Sequence, residues 1–211
     1  MRFFRLLVLA PALTGFWLLS HAQKPVSTAP LPHAQVSKAV DQYIQPYLEM
    51  GCFSGSILIA QGGRVLVSKG YGMANYELSV PNTPQTKFHL ASVSKPFTAA
   101  AILMLEERGR LSVHDPLARF IPDYPNGKAI TLHHLLAHYS GIPNVNNFPD
   151  YDEKSKFPQS LEQVIRMFRD KPAEFAPGAR YSYSNSNYNL LAHIIEKVSG
   201  QNYFDYVKEH I

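Results

Sequence analysis

The sequence predicts an α/β protein of the α+β sandwich type: a mostly helical region preceded by a β-hairpin of an antiparallel sheet. Three observations predict it. Two short β-rich runs, Ser54–Ala60 and Arg64–Gly70, flank the pair Gly62-Gly63, the pattern of a hairpin. Helical apolar periodicity precedes this pair and recurs several times after it, so helices outnumber strands. Two strands make no stable sheet alone, so the hairpin is expected to belong to a larger one. The 211 residues, 45% apolar and 17% charged, suit one globular domain or a large fragment of one, and exclude a disordered chain.

Taken in order, residues 1–22 read as a secretory signal peptide. Arg2 and Arg5 supply a positive start, Leu6 to Leu19 an apolar run, and Ser20-His21-Ala22 small residues at the two positions a signal peptidase reads. The run is short for a membrane span of about 20 residues. The expectation is therefore a secreted or periplasmic protein with no stable membrane anchor after cleavage. Residues 23–33, with Pro25, Pro30 and Pro32, read as a linker, and 34–211 as the folded domain. Ala34 to Met50 is predicted helical, bent or interrupted at Pro46 and ended by Gly51. After the hairpin, Tyr71 to Thr86 reads as a surface loop. Phe97, Ala100, Ala101, Met104 and Leu105 then give one apolar helix face, with Ala99-Ala100-Ala101 slim enough for full burial and Gly109 as the stop.

Downstream, Thr131 caps a helix through Leu132, Leu135, Leu136 and His138. Asn144 to Pro158 reads as a loop on the substrate side. Ser160 caps a helix from Leu161 to Phe168. Pro172 to Asn187 reads as irregular, Tyr188 to Val198 as helix, and Asn202 to Ile211 as the start of another. Cys52, the sole cysteine, allows no intrachain disulfide and reads as a small buried residue, inert by default. Removing Arg2 and Arg5 with the signal leaves 18 basic against 16 acidic residues and no basic run, which argues against nucleic acid as a partner.

The chemistry-bearing stretch is Ser92-Val93-Ser94-Lys95, just before the alanine-rich helix. With Ser92 at the helix start, Lys95 lies one turn on and on the same side, within reach of the hydroxyl. That is the minimum equipment of a lysine-activated serine nucleophile. A chain of this length carries about one such tetrad by chance, so context decides. A proton relay is also needed, and Tyr183-Ser184-Asn185, on an irregular loop before a helix, supplies one. Tyr124-Pro125-Asn126 repeats the Tyr-x-Asn triplet, but in a proline turn that reads as structural. Ser94 lacks a lysine three residues on. His133, His134 and His138 have ligand-like spacing without a partnering carboxylate, so neither a metal nor a cofactor is expected.

Phe88 to Lys95, and Pro177-Gly178 followed after four residues by Tyr183-Ser184-Asn185, resemble the penicillin-recognising serine hydrolases. The branch is that of class C β-lactamases, D-Ala-D-Ala carboxypeptidases and related esterases. Leu111 to Leu117 and His138-Tyr139-Ser140-Gly141 also look like family segments. The resemblance covers about residues 36–211 and implies a β-lactamase/transpeptidase-like fold, incomplete at the C-terminus. It implies that Ser92 is acylated, that Lys95 accepts its proton, that Tyr183 is base or relay, and that Asn185 binds the substrate amide and holds Lys95. The Ser92 N–H would supply half of an oxyanion hole. The substrate would be a β-lactam, a D-Ala-D-Ala peptide or an ester. The family's third motif, Lys-Thr-Gly or His-x-Gly, does not follow Asn185, so a truncated form is expected. The alternative is an inactive fragment of this fold, at most a binding module.

Overall fold

The structure, a computed structural model, describes residues 32–211. The signal peptide read at 1–22 and all but the end of the 23–33 linker lie outside the described residues. The chain divides into two compact units, one ending at Phe88 and the other running His89–Ile211.

In the first unit, α1 (His33–Glu49) packs against β2 (Arg64–Tyr71), the second strand of the hairpin that β1 (Gly55–Gln61) opens. The two strands are antiparallel, with a register shift between Ile59 and Ala60. Gly62 and Gly63 both take positive φ, 57° and 76°, which a two-residue turn matched to the strand twist requires. Asp41 of α1 accepts hydrogen bonds from Lys69 Nζ (2.8 Å) and Tyr71 Oη (2.7 Å) of β2. The helix, expected to be bent or interrupted at Pro46, is not interrupted there. Proline forfeits one i→i−4 bond there, and the helix ends within the same turn.

The segment read as a loop after the hairpin is better ordered than expected. β3 (Met73–Asn75) pairs antiparallel with β4 (Val80–Pro81). Buried Asn82 then ties the chain back, donating from Nδ2 to Ser54 Oγ and the Tyr71 carbonyl, both at 2.9 Å. The approach is so close that a Cβ on Gly70 would lie 2.1 Å from the Asn82 oxygen. Cys52 corrects the sequence reading: it is exposed, not buried. Its neighbour Gly51, at φ 67°, turns the chain out of α1. Among the described residues both sheets are two-stranded, and Leu58 and Val65 of the hairpin stand exposed.

The second unit is helical: α2 (Lys95–Glu107), α3 (Leu132–Leu136), α4 (Tyr151–Ser155), α5 (Leu161–Phe168), α6 (Asn185–Ser199) and α7 (Tyr203–His210). α6 is its axis, packed against α2, α3, α5 and α7. Leu190, Leu191, Ile194 and Ile195 of α6 are fully buried. At about 1.5–3 kcal/mol for each large aliphatic side chain, this row supplies much of the force holding the unit together.

Two expectations about these helices need correction. The buried face of α2 is Thr98, Ala101, Ile102 and Leu105, whereas Phe97 is 38% and Leu103 51% exposed. α2 is therefore half-covered, not fully buried, and its inward stripe is turned by one position from the predicted one. α6 begins at Asn185, three residues before the predicted start. Ser184 makes no side-chain cap, and the cap comes instead from Asn144 Oδ1, which accepts from the Asn185 N–H at 3.0 Å.

Candidate active site

Ser92 lies in a 3₁₀ turn, Ala91–Ser94, and α2 begins only at Lys95. Pro96 stands in the first turn of α2, where a missing N–H breaks no helical bond. Ala91, just ahead of Ser92, has φ 46°, a left-handed conformation that strains a residue with a Cβ by about 1–2 kcal/mol. The turn thus sets Ser92 exposed at the head of a partly buried helix. Ser94 points elsewhere: its hydroxyl donates to the Ala91 carbonyl at 2.7 Å.

Around Ser92 the four residues singled out in the sequence converge. Lys95 Nζ donates to Ser92 Oγ at 3.1 Å and to Asn185 Oδ1 at 2.7 Å. Tyr183 Oη and Ser92 Oγ are 2.6 Å apart and share a hydrogen bond. Lys95 Nζ also lies over the rings of Tyr183 (4.9 Å to the centroid) and Tyr188 (5.5 Å). Tyr124 has no part in this cluster; it is buried in the core.

Burial alone would raise the Tyr183 pKa. Hydrogen bonding to Lys95 and Ser92, together with the charge of Lys95, outweighs it and draws the phenol below its ordinary value of 10.0. Tyr188 is pushed the other way, chiefly by burial. Tyr183 therefore gives up its proton more readily than its neighbour Tyr188.

A second ring of residues holds these four, and sequence reasoning reached it only in part. Asn146, in the 3₁₀ turn Val145–Asn147, accepts from Asn185 Nδ2 at 2.7 Å. Ser186 Oγ donates to the Pro143 carbonyl (2.7 Å) and accepts from the Val145 N–H (2.9 Å). Ser140 Oγ donates to the buried Asn187 Oδ1 at 2.7 Å. The 140–147 segment is thus laced to the first turn of α6. The signal was available: five Asn and Ser residues crowd 182–187, more than one helix start uses locally.

His138 ends α3 in the left-handed conformation, φ 62°, and its ring lies 4.6 Å from that of Tyr183 and 5.3 Å from that of Tyr188. Its Nδ1 accepts from the Ser184 N–H at 3.2 Å. Burial first, then the Lys95 charge, lower its pKa, against the opposing pull of the Ser184 bond. It stays a neutral wall behind Tyr183. Among the described residues His133, His134 and His138 form no set of ligand atoms.

Ser92, Lys95, Asn146 and Asn185 line an open cleft of about 1040 Å³, walled on its far side by α5 and α7. A hydroxyl bonded at once to an amine and a phenol, at the edge of a cleft, is an arrangement that can deliver an alkoxide to a bound carbonyl.

Comparison with known proteins extends these observations. A Staphylococcus aureus protein named teichoic acid D-alanine hydrolase is 31% identical over 166 residues, which cover 79% of this chain and 39% of that one. The octameric penicillin-binding protein homologue from Pyrococcus abyssi superposes with a TM-score of 0.68 at 38% identity, over 83% of this chain and 42% of that one. A penicillin-binding protein from Bacillus halodurans superposes at 0.68 with 34% identity, over 79% and 52%. The chain spans about two fifths of the length of the curated relatives it matches. The Beta-lactamase family model matches residues 40–211, nearly all of the described chain, and the protein belongs to that family.

Proposed function

We propose that this protein is a secreted serine hydrolase that passes an acyl group from a β-lactam, a D-Ala-D-Ala peptide or an ester to Ser92 and then to water. One observation carries the reading: Ser92 Oγ is hydrogen-bonded by both Lys95 Nζ and Tyr183 Oη. As Oγ attacks the substrate carbonyl, its proton passes to whichever of the pair has given up its own, Lys95 as the free amine or Tyr183 as the phenolate. The Ser92 N–H donates to the oxyanion, a contact of a kind worth about 100- to 1,000-fold in rate. The tetrahedral adduct collapses, the C–N or C–O bond breaks, and Tyr183 returns the proton to the leaving group. Water then attacks the acyl-serine with the same pair as base, and Ser92 is regained. Asn185 fixes Lys95 through Oδ1 and offers an Nδ2 hydrogen to the substrate amide.

The substrate range rests on relatives. One carries the name teichoic acid D-alanine hydrolase, which keeps a D-alanyl ester beside β-lactams and peptides. Secretion rests on residues 1–22, and is tested by sequencing the mature N-terminus, expected at Gln23.

Incubation with fluorescent penicillin or a fluorophosphonate tests the chemistry. A stoichiometric adduct is expected on the wild-type chain and none on Ser92→Ala. The absence of any adduct would sink the enzyme reading in favour of a catalytically silent binding module. Given an adduct, its lifetime sorts the substrates: rapid turnover of penicillin marks a β-lactamase, a stable adduct a penicillin-binding protein.

A further inference from the structure

Away from the Ser92 cluster, the described residues bring one group of metal-ligating side chains together: Glu162, His193 and Glu196. Glu162 is in the first turn of α5. His193 and Glu196 are three residues apart on α6, and so share one of its faces. One ligand atom from each lies within 4.8 Å of the other two. Glu162 is exposed and Glu196 half-buried, while His193 is only 9% exposed.

The state of His193 points to a ligand. Its Nδ1 is closed off from solvent and has no hydrogen-bond partner. The nearest carboxylate oxygen, Glu162 Oε1, lies 3.5 Å away without hydrogen-bond geometry. Buried polar atoms are almost always satisfied, so an orphaned imidazole nitrogen beside a carboxylate of this group calls for a partner. Glu196 is also pre-set. Its Oε1 accepts from the Tyr203 N–H at 3.0 Å and from Asn202 Nδ2 at 3.2 Å, which fixes the carboxylate and leaves its second oxygen for another ligand.

We propose that Glu162, His193 Nδ1 and Glu196 bind a divalent first-row transition-metal ion, with Zn²⁺ as the fitting probe, and that the ion clasps α5 to α6. An imidazole among the ligands favours such ions over Mg²⁺ or Ca²⁺, which prefer oxygen alone. Two carboxylates balance the ion's charge. Ligand atoms around a tetrahedral zinc stand about 3.3 Å apart, so the group must draw in from its present spread. Glu162 is exposed, and the movement carries its carboxylate from Ser160 and its own N–H towards His193. Glu162 and Glu196 both belong to the wall of the cleft that holds Ser92. Three protein ligands leave a fourth position for water or a substrate group, as open zinc sites do.

The test is calorimetric titration of the untagged, chelator-treated chain with ZnCl₂, paired with thermal unfolding. Saturable one-to-one binding in the micromolar range or tighter is expected, with a rise in Tm on adding the ion. Glu162→Gln and His193→Gln should each weaken binding at least tenfold. Glu162 is exposed, so its variant keeps the fold and decides the matter should His193→Gln not fold. No saturable binding, or binding that Glu162→Gln weakens less than tenfold, as His114, His133 or His134 would give, overturns the proposal.

Discussion

Ser92 is held by two partners, and each of those is held in turn, so a residue that never meets the hydroxyl can still govern it. Asn146 is the clearest instance. It bonds Asn185 Nδ2, and Asn185 Oδ1 accepts from Lys95 Nζ. Asn146 is itself exposed. Removing a neutral hydrogen bond of this kind forfeits about 0.5–1.5 kcal/mol, so Asn146→Ala should slow acylation of Ser92 by about 2- to 10-fold. Unfolding free energy should fall by no more than the same amount, about 1.5 kcal/mol. Stopped-flow labelling with a chromogenic penicillin reads the first quantity and urea unfolding the second; an unchanged labelling rate would remove Asn146 from the chain of contacts. Tyr183 supports a second prediction. Its phenol is drawn below 10.0, so the labelling rate should climb with pH and level off below pH 10, and Tyr183→Phe should abolish that inflection. A profile in Tyr183→Phe identical to wild type would assign the step to another base.

At the scale of elements, the sequence was most legible where a local rule sets an end. Thr131 and Ser160 each close a capping box, with His134 and Gln163 as the reciprocal partners. Gly109 and Gly200 end α2 and α6 at positive φ. The Ser-x-x-Lys and Tyr-x-Asn stretches were readable for the same reason, since each is a short run. Long-range causes were not readable. The start of α6 depends on Asn144, 41 residues upstream; the orientation of α2 depends on what packs on Ile102; and β3 and β4 are too short to show alternation. The Ser160 cap is testable. α5 buries Ile165 and Phe168 through only eight residues, so its first turn carries much of its order. Ser160→Ala should lower unfolding free energy by about 0.5–2 kcal/mol, read from the urea midpoint, while Ser160→Asp restores most of it. A neutral Ser160→Ala would mean that α5 is held by packing alone.

For the molecule as a whole, acid should act through buried and half-buried imidazoles. His134 and His138 both sit below the ordinary histidine value of 6.5, and burial is the first cause in each; the charge of His133 adds to it at His134, and that of Lys95 at His138. A histidine with a lowered folded pKa binds its proton more readily in the unfolded chain. Its stabilising effect is therefore complete above about pH 6.5 and is lost as pH falls through the folded value. The two work in the same direction from opposite ends of α3: His134 in the capping box that starts the helix, His138 just past its end, against the Ser184 N–H. Thermal unfolding should accordingly give a flat Tm from about pH 8 to 6.5 and a decline below it. His138→Asn should flatten part of that decline, because an asparagine retains a polar acceptor without a titrating ring. The loss should reach the site before the fold: once His138 is protonated, a new cation stands beside Lys95 and behind Tyr183. Acylation of Ser92 should then fall at a pH where circular dichroism still reports a folded chain. Coincident midpoints for labelling and unfolding, unchanged in His138→Asn, would show that His138 is only a packing residue.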